Sequence, residues 1–390
     1  MDHWRGARRR RRGERRQRRP AAERAGRPGA EPAMKIVRVA GTPFARGLAH
    51  GEQAREEIHE AIRVYRRWFE TFARLSWEAA RDAARAHRPW LENRDPAALE
   101  EMRGIAAGAG VPTTEIVALN FRTEIAYAAA GDLALTECTV LGVDASASGD
   151  GHVYLAQNWD WLTELLPLTI MLDWEFDGGR AVSVTEPGML AKFGVNSAGV
   201  ALCVNLLGSD AHGRGGSFHT LARRVLESAT VLDATWAVTG SERAGSGNFL
   251  IGGASGELID VEYNPVRCRL LFPANGTLAH ANHFVGPDPG VRDRLDVLRG
   301  LSPGTYFRQW RAEQLLAAGP GAGLAGMQAI LRDHYGAPES ICRHPQPPGR
   351  REVLGQTNVS LIIDVTASAL HYTLGCPCRS DYERISLPWA

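Results

Sequence analysis

The chain has 390 residues, 44% of them apolar, which is enough for a large buried core in one large or two modest domains. Its net charge is +1, but residues 1 to 33 hold twelve arginines and four acids, so that segment stands at +8 and the remainder at −7. A mildly acidic body excludes a general polyanion binder, the lack of a run of about 18 apolar residues excludes an ordinary membrane span, and six cysteines scattered from 138 to 378 exclude a disulfide framework.

The arginine run has one aromatic, Trp4, and no apolar periodicity, and it reads as a disordered tail. The rival reading is a nucleic-acid contact through phosphates. No apolar stretch follows the arginines as a secretory signal requires, so the cytoplasm is the expected compartment. Lysine occurs only at positions 35 and 192, the mark of arginine-biased coding. Met34 then reads as the true start, with the tail an over-extended gene boundary.

Residues 35 to about 130 read as mostly helical. Ile58, Ile62, Tyr65, Phe69 and Phe72 form one apolar stripe at steps of three and four, predicting a helix of more than twenty residues. Asp95-Pro96 and Pro112-Thr113-Thr114-Glu115 signal two further helix starts. From Cys138 the texture changes to short β-rich runs: 139–143, 153–158, 168–176, 181–185, 200–206, 248–251, 258–263, 360–365 and 370–373. Helical stretches are expected over 218–237, 291–298 and 306–331. Alternating strand and helix blocks predict an α+β protein of stacked sheets flanked by helices.

The change of texture falls on the residue with the most chemical promise. Cys138 opens one short strand and Asp160, in Gln157-Asn158-Trp159-Asp160-Trp161, lies on the next, so a thiol and an orienting carboxylate can meet across a sheet. A thiol is partly ionised near neutral pH, and a free α-amine with a pKa of about 7.7 to 8 can take its proton. For Cys138 to be such a nucleophile, the Glu137–Cys138 bond must first be cut. Asp160 is expected to hold the resulting amine; the bland alternative is a structural salt bridge. His280 and His283 are too poorly spaced for a metal, and Cys376-Pro377-Cys378 reads as ordinary thiols, so no metal is expected.

Several spaced motifs occur together: Gly41-Thr42-Pro43-Phe44, Gly47, His50-Gly51, Leu119-Asn120-Phe121-Arg122-Thr123-Glu124-Ile125-Ala126-Tyr127, Cys138-Thr139 and Gln157-Asn158-Trp159-Asp160. In this order they resemble the acyl-coenzyme A:6-aminopenicillanate acyltransferase family, peptidase family C45, from about residue 35 to the C-terminus. The resemblance implies an N-terminal-nucleophile hydrolase with a four-layer αββα core, made as a precursor that cleaves itself. The helical propeptide 34–137 would become a small subunit that stays with the catalytic large subunit, 138–390. It also implies that Asn282 donates to the tetrahedral oxyanion and that Asn205, at the end of the strand after the Asn196-Ser197-Ala198-Gly199 turn, assists. Gln157 stands where related hydrolases carry an arginine, and the late arginine of the family has no counterpart near Gln356-Thr357-Asn358.

The resulting expectation is acyl transfer or amide hydrolysis on a small-molecule amide or acyl-thioester through an acyl-enzyme at Cys138. No cofactor is expected, acyl-coenzyme A serving at most as co-substrate. An amidohydrolase of small N-acyl or β-alanyl amines is the near alternative, and a nucleic-acid binder acting through the tail the remote one.

Overall fold

A computed structural model describes residues 34–129, 138–286, 290, 304–318, 322–345 and 355–390. The tail 1–33, Glu137 and the expected helix 291–298 lie outside the described residues.

The first element departs from the helical expectation. Lys35–Val39 alternates exposed and buried residues and forms strand β1, lying parallel to a strand from the second half of the chain, β4 (Ile170–Phe176). Helices follow: α1 (Pro43–Gln53), α2 (Arg55–Trp68), α3 (Trp77–Arg85), α4 (Arg88–Arg94), α5 (Pro96–Ala109), α6 (Thr113–Asn120) and α7 (Arg122–Ala129). The apolar stripe predicted for one long helix runs along α2 and through a single π-helical turn, Phe69–Ala73, which ends at Arg74 in the left-handed region. Asp95 caps α5 as its sequence suggests, its carboxylate accepting the Ala98 N–H at 3.2 Å.

Glycine decides how α1 meets α5. A Cβ at Gly47 would lie 2.0 Å from the Glu101 carbonyl oxygen, and one at Gly51 would lie 2.2 Å from that of Ile105. Gly104 and Gly108 face the Phe44 and Leu48 carbonyls at 2.2 Å in the same way. The two helices therefore touch backbone to backbone, and no side chain fits between them.

The remaining strands are β2 (Thr139–Val143), β3 (Tyr154–Leu162), β5 (Gly179–Thr185), β6 (Phe193–Asn196), β7 (Val200–Leu206), β8 (Gly247–Gly253), β9 (Leu258–Tyr263), β10 (Cys268–Leu271), β11 (Thr277–His280), β12 (Gly355–Asp364), β13 (Ala369–Leu374) and β14 (Glu383–Ser386). One sheet has the order β1-β4-β5-β6-β7-β8-β9-β10 and the other β11-β2-β3-β12-β13-β14. The sheets pack face to face through small residues. A Cβ on Gly142 would meet Leu250 at 3.3 Å, and Gly252 sits against Leu155.

Outside the six-stranded sheet, Leu141, Tyr154, Ala156 and Ile362 pack with Ala312, Leu316, Met327 and Ile330 of α10 (Gly304–Ala318) and α11 (Leu324–Leu331). Outside the eight-stranded sheet lie α8 (Phe218–Leu226) and α9 (Val231–Thr239), with Phe218 edge-on to Phe249 and Asn196 donating to the Leu226 and Ser228 carbonyls. These are the four α–β–β–α layers. Each of the helical stretches expected over 218–237 and 306–331 is made of two helices.

Candidate active site

Cys138 immediately precedes β2 and is buried at 4% exposure. Thr139 pairs with Asn158 in β3, which carries Cys138 alongside Trp159. Period-2 alternation then sends Gln157, Trp159 and Trp161 to the side lining a pocket together with Cys138, Arg122, Lys192, Val204, Leu206 and Phe218. The intervening Asn158 faces the other way and donates to the Leu331 and Ile341 carbonyls at 2.8 and 2.7 Å. Gln157 stitches the sheets together, its amide accepting from and donating to the Val204 backbone at 2.8 and 2.9 Å.

Asp160 is fully enclosed. One carboxylate oxygen accepts from Thr357 Oγ1 at 2.7 Å; the other is buried with no hydrogen-bond partner among the described residues. Burial pushes this carboxyl well above the usual range, with Arg308 and the Thr357 bond opposing. Burial, and after it the Asp160 carboxyl, also pushes the Cys138 thiol up to about 12. The thiol lies 3.9 Å from the Asp160 carbonyl oxygen.

Arg308 links residues that the sequence keeps far apart. It projects from α10, donates to the Cys138 carbonyl, reaches Thr139 Oγ1 at 2.9 Å and reaches Asn282 Oδ1 at 3.1 Å. Asn282 in turn donates to the Leu206 carbonyl at 3.0 Å and takes the Thr305 hydroxyl on its own N–H at 2.8 Å. Cys138 and Asn282 thus meet on one guanidinium, whose charge the Asp160 carboxyl also feels. Asn205 is not among the residues lining the pocket: its amide donates to Asn248 at 3.0 Å and to the His280 carbonyl at 3.1 Å. A second arginine, Arg343, binds Thr357 through its backbone, N–H to Oγ1 at 3.0 Å.

His280 is held by Glu262 at 2.8 Å and His283 by Thr305 at 3.0 Å. His50, buried and pushed down to about 3 by burial and then by Arg223, is a neutral acceptor for the Gly188 N–H at 3.1 Å.

Lys192 escaped the sequence reading of the site, although one of only two lysines in an arginine-rich chain was the available signal. Its ammonium lies 3.7 Å from the Trp159 ring centroid and binds Glu186, which also takes Arg122 at 2.8 Å and the Tyr65 hydroxyl. Two cations share one carboxylate. Burial would raise Glu186, but Arg122 and Lys192 outweigh it and hold it at about 2. The surplus positive charge shows on Lys192, which burial lowers to about 8 against the pull of Glu186.

A sequence model of the family described as acyl-coenzyme A:6-aminopenicillanic acid acyl-transferase matches residues 146–375. The chain belongs to this acyltransferase family. A curated relative, the 40 kDa form of acyl-coenzyme A:6-aminopenicillanic-acid-acyltransferase from Emericella nidulans, is 29% identical over 353 residues, covering 89% of this chain and 94% of the relative. Among solved structures, a mutant conjugated bile acid hydrolase from Clostridium perfringens aligns at 11% identity and a TM-score of 0.42, covering 64% of this chain and 97% of that one. The penicillin V acylase from Agrobacterium tumefaciens aligns at 16% identity and 0.36, covering 60% and 82%. In this chain Arg122 brings a side chain of the helical segment into the pocket that Cys138 lines.

Proposed function

We propose that the chain is an autoprocessed cysteine N-terminal-nucleophile enzyme that transfers an acyl group from a small-molecule amide or acyl-thioester to an amine or to water. The observation that carries this reading is the position of Cys138, at the head of β2, lining the pocket and held by its carbonyl through Arg308. In the uncut chain Cys138 has no α-amine and its thiol is pushed up to about 12, as suits an inactive precursor. Scission of the Glu137–Cys138 amide leaves a carboxylate on Glu137 and a free amine on Cys138. That amine takes the thiol proton, and the thiolate adds to the substrate carbonyl. The leaving amine or thiol departs with a proton, and the acyl-thioester on Cys138 passes to the acceptor.

The buried Asp160 oxygen without a partner supports its role as the group that receives the new amine, since such an atom is costly unless a donor arrives. Asn282, tied to Cys138 through Arg308, supports a place near the oxyanion. Asn205, on the strand whose Val204 and Leu206 line the pocket, contacts Asn248 and His280, and its part is to brace that wall. Trp159, Trp161 and Phe218 suit an apolar acyl portion, and Arg122 with Lys192 an anionic group. Acyl-coenzyme A is admissible as donor; no bound cofactor is required.

The deciding experiment is N-terminal sequencing and intact mass of purified protein. Two fragments are expected, the larger beginning at Cys138, and Cys138→Ala should remain one chain. A fully active, uncut wild-type protein overturns the reading. Incubation with N-acyl amines and acyl-thioesters, with and without an amine acceptor, separates transfer from hydrolysis.

A further inference from the structure

Four soft donor groups meet on the far side of β12 from the pocket. His334, Cys342, His344 and Cys378 each offer one ligand atom, and all four atoms lie within 4.8 Å of one another. The His334 and His344 Nε2 atoms are 3.0 Å apart, and His344 Nε2 lies 3.6 Å from Cys342 Sγ and 3.2 Å from Cys378 Sγ. A tetrahedral zinc with bonds of about 2.3 Å to sulfur and about 2.0 to 2.1 Å to nitrogen needs edges of about 3.3 Å between nitrogens and about 3.6 Å between sulfur and nitrogen. The three edges at His344 match to within a few tenths of an ångström, and the other three are no longer than 4.8 Å.

The two arms that bring these groups together are positioned by bonds of their own. His334 and Cys342 belong to the segment after α11, which is closed by the Cys342 N–H on the Asp333 carbonyl at 3.0 Å and pinned by Arg311 on the Asp333 carboxylate at 2.8 Å. Cys378 belongs to the turn after β13, where Arg332 donates to the Pro377 and Ser380 carbonyls at 2.8 and 3.2 Å. Two thiols and two imidazoles directed at one point are a soft donor set of the kind that holds zinc. One soft divalent cation satisfies all four. Cys342 is buried while His334 and Cys378 are exposed, so an ion has a route in. The expectation that Cys378 is an ordinary thiol without companions is corrected here: His344 lies 34 residues upstream in sequence and in contact in space.

We propose that His334, Cys342, His344 and Cys378 bind one zinc ion in a structural Cys2His2 site. All four protein ligands are present, so no position is left open for catalysis. The two thiols give up their protons to solvent as the metal binds. The ion would clip the segment after α11 to the turn after β13. That segment supports β3 from behind: Ile341 accepts from Asn158 at 2.7 Å, and Arg343 binds the Thr357 that donates to Asp160. Metal occupancy and the placement of Asp160 are thereby joined through three consecutive hydrogen-bonded residues.

The test uses the full-length protein. Elemental analysis after purification without chelator should give about one zinc per chain. Protein stripped with a strong chelator under reducing conditions should take up one cobalt(II) and show the intense visible bands of tetrahedral thiolate coordination. Cys378→Ser, an exposed position, should lose at least about fivefold in zinc content, and Cys268→Ser, remote from the cluster, should keep it. A wild-type chain with neither zinc nor a tetrahedral cobalt spectrum overturns the proposal. So does retention of full zinc by Cys378→Ser and His344→Ala alike, or a Cys342–Cys378 disulfide in metal-free protein prepared under reducing conditions.

Discussion

The side chains around Cys138 differ in how exchangeable they are. Arg308 forks to three partners from a fully buried position, and a lysine offers one ammonium where the site uses several directed N–H groups. Arg308→Lys, Asp160→Asn and Asn282→Ala should each lower turnover by at least about 10², a magnitude typical of losing one charge-stabilising donor, measured as the single-turnover acylation rate. Circular dichroism should be unchanged in Asn282→Ala; a wild-type rate in any of the three removes that residue from the site. The pH profile separates two further groups. An α-amine on Cys138 must be neutral to accept the thiol proton, so activity should rise through an apparent pKa of roughly 6 to 8. Lys192, lowered to about 8, is charged below that value and neutral above it, so its help to a thiolate fades as pH rises past 8. A bell is therefore expected, and Lys192→Met should remove its alkaline limb while lowering its height. The thiol and its carboxylate were legible because they sit on adjacent strands close in sequence. Arg308 and Arg343 were not, because each belongs to a segment far from Cys138 and Asp160 in sequence.

Among the elements, the α1–α5 pair is the most constrained by its residue choice. Gly47→Ala places a methyl about where the Glu101 carbonyl stands, and backbone on both sides cannot yield cheaply. Overpacking of this kind costs about 1 to 3 kcal/mol, so the midpoint of thermal unfolding should fall by several degrees, read by calorimetry on the full chain. Gly110→Ala, at a left-handed C-cap with only the Arg55 side chain nearby, should cost less. The amphipathic stripe of α2 and the caps at Asp95 and Pro112 could be read from sequence because helical periodicity and capping are local. β1 could not: Lys35-Ile36-Val37-Arg38-Val39 alternates for only five residues, and what makes it a strand is β4, far along the chain.

At the scale of the whole molecule, the helical segment and the sheet domain share their buried surface. Val37, Ile58, Tyr65, Phe69 and Ile105 belong to the same core as Trp159, Trp161, Leu172 and Phe193. Arg122 and Glu186 form an ion pair across the division between 34–137 and 138–390, with the Tyr65 hydroxyl between Trp161 and Glu186. Cleavage before Cys138 should therefore leave the fragments bound: two bands on a denaturing gel, one peak in size-exclusion chromatography, and no separation short of denaturant. Elution as two independent species would contradict this packing.

β1 gives the first residues of the described chain a further consequence. It covers the flank of β4, and it closes that side of the eight-stranded sheet with Lys35 and Arg38 turned outward. Without it, Ile170–Phe176, whose first five residues are buried, would offer a row of unpaired amides and carbonyls to other molecules. A chain starting at Met34 keeps this guard, whereas one starting at Gly41 loses it. The first should stay monodisperse in light scattering, and the second should self-associate as concentration rises, so a boundary misplaced by seven residues would turn an enzyme preparation into an aggregating one.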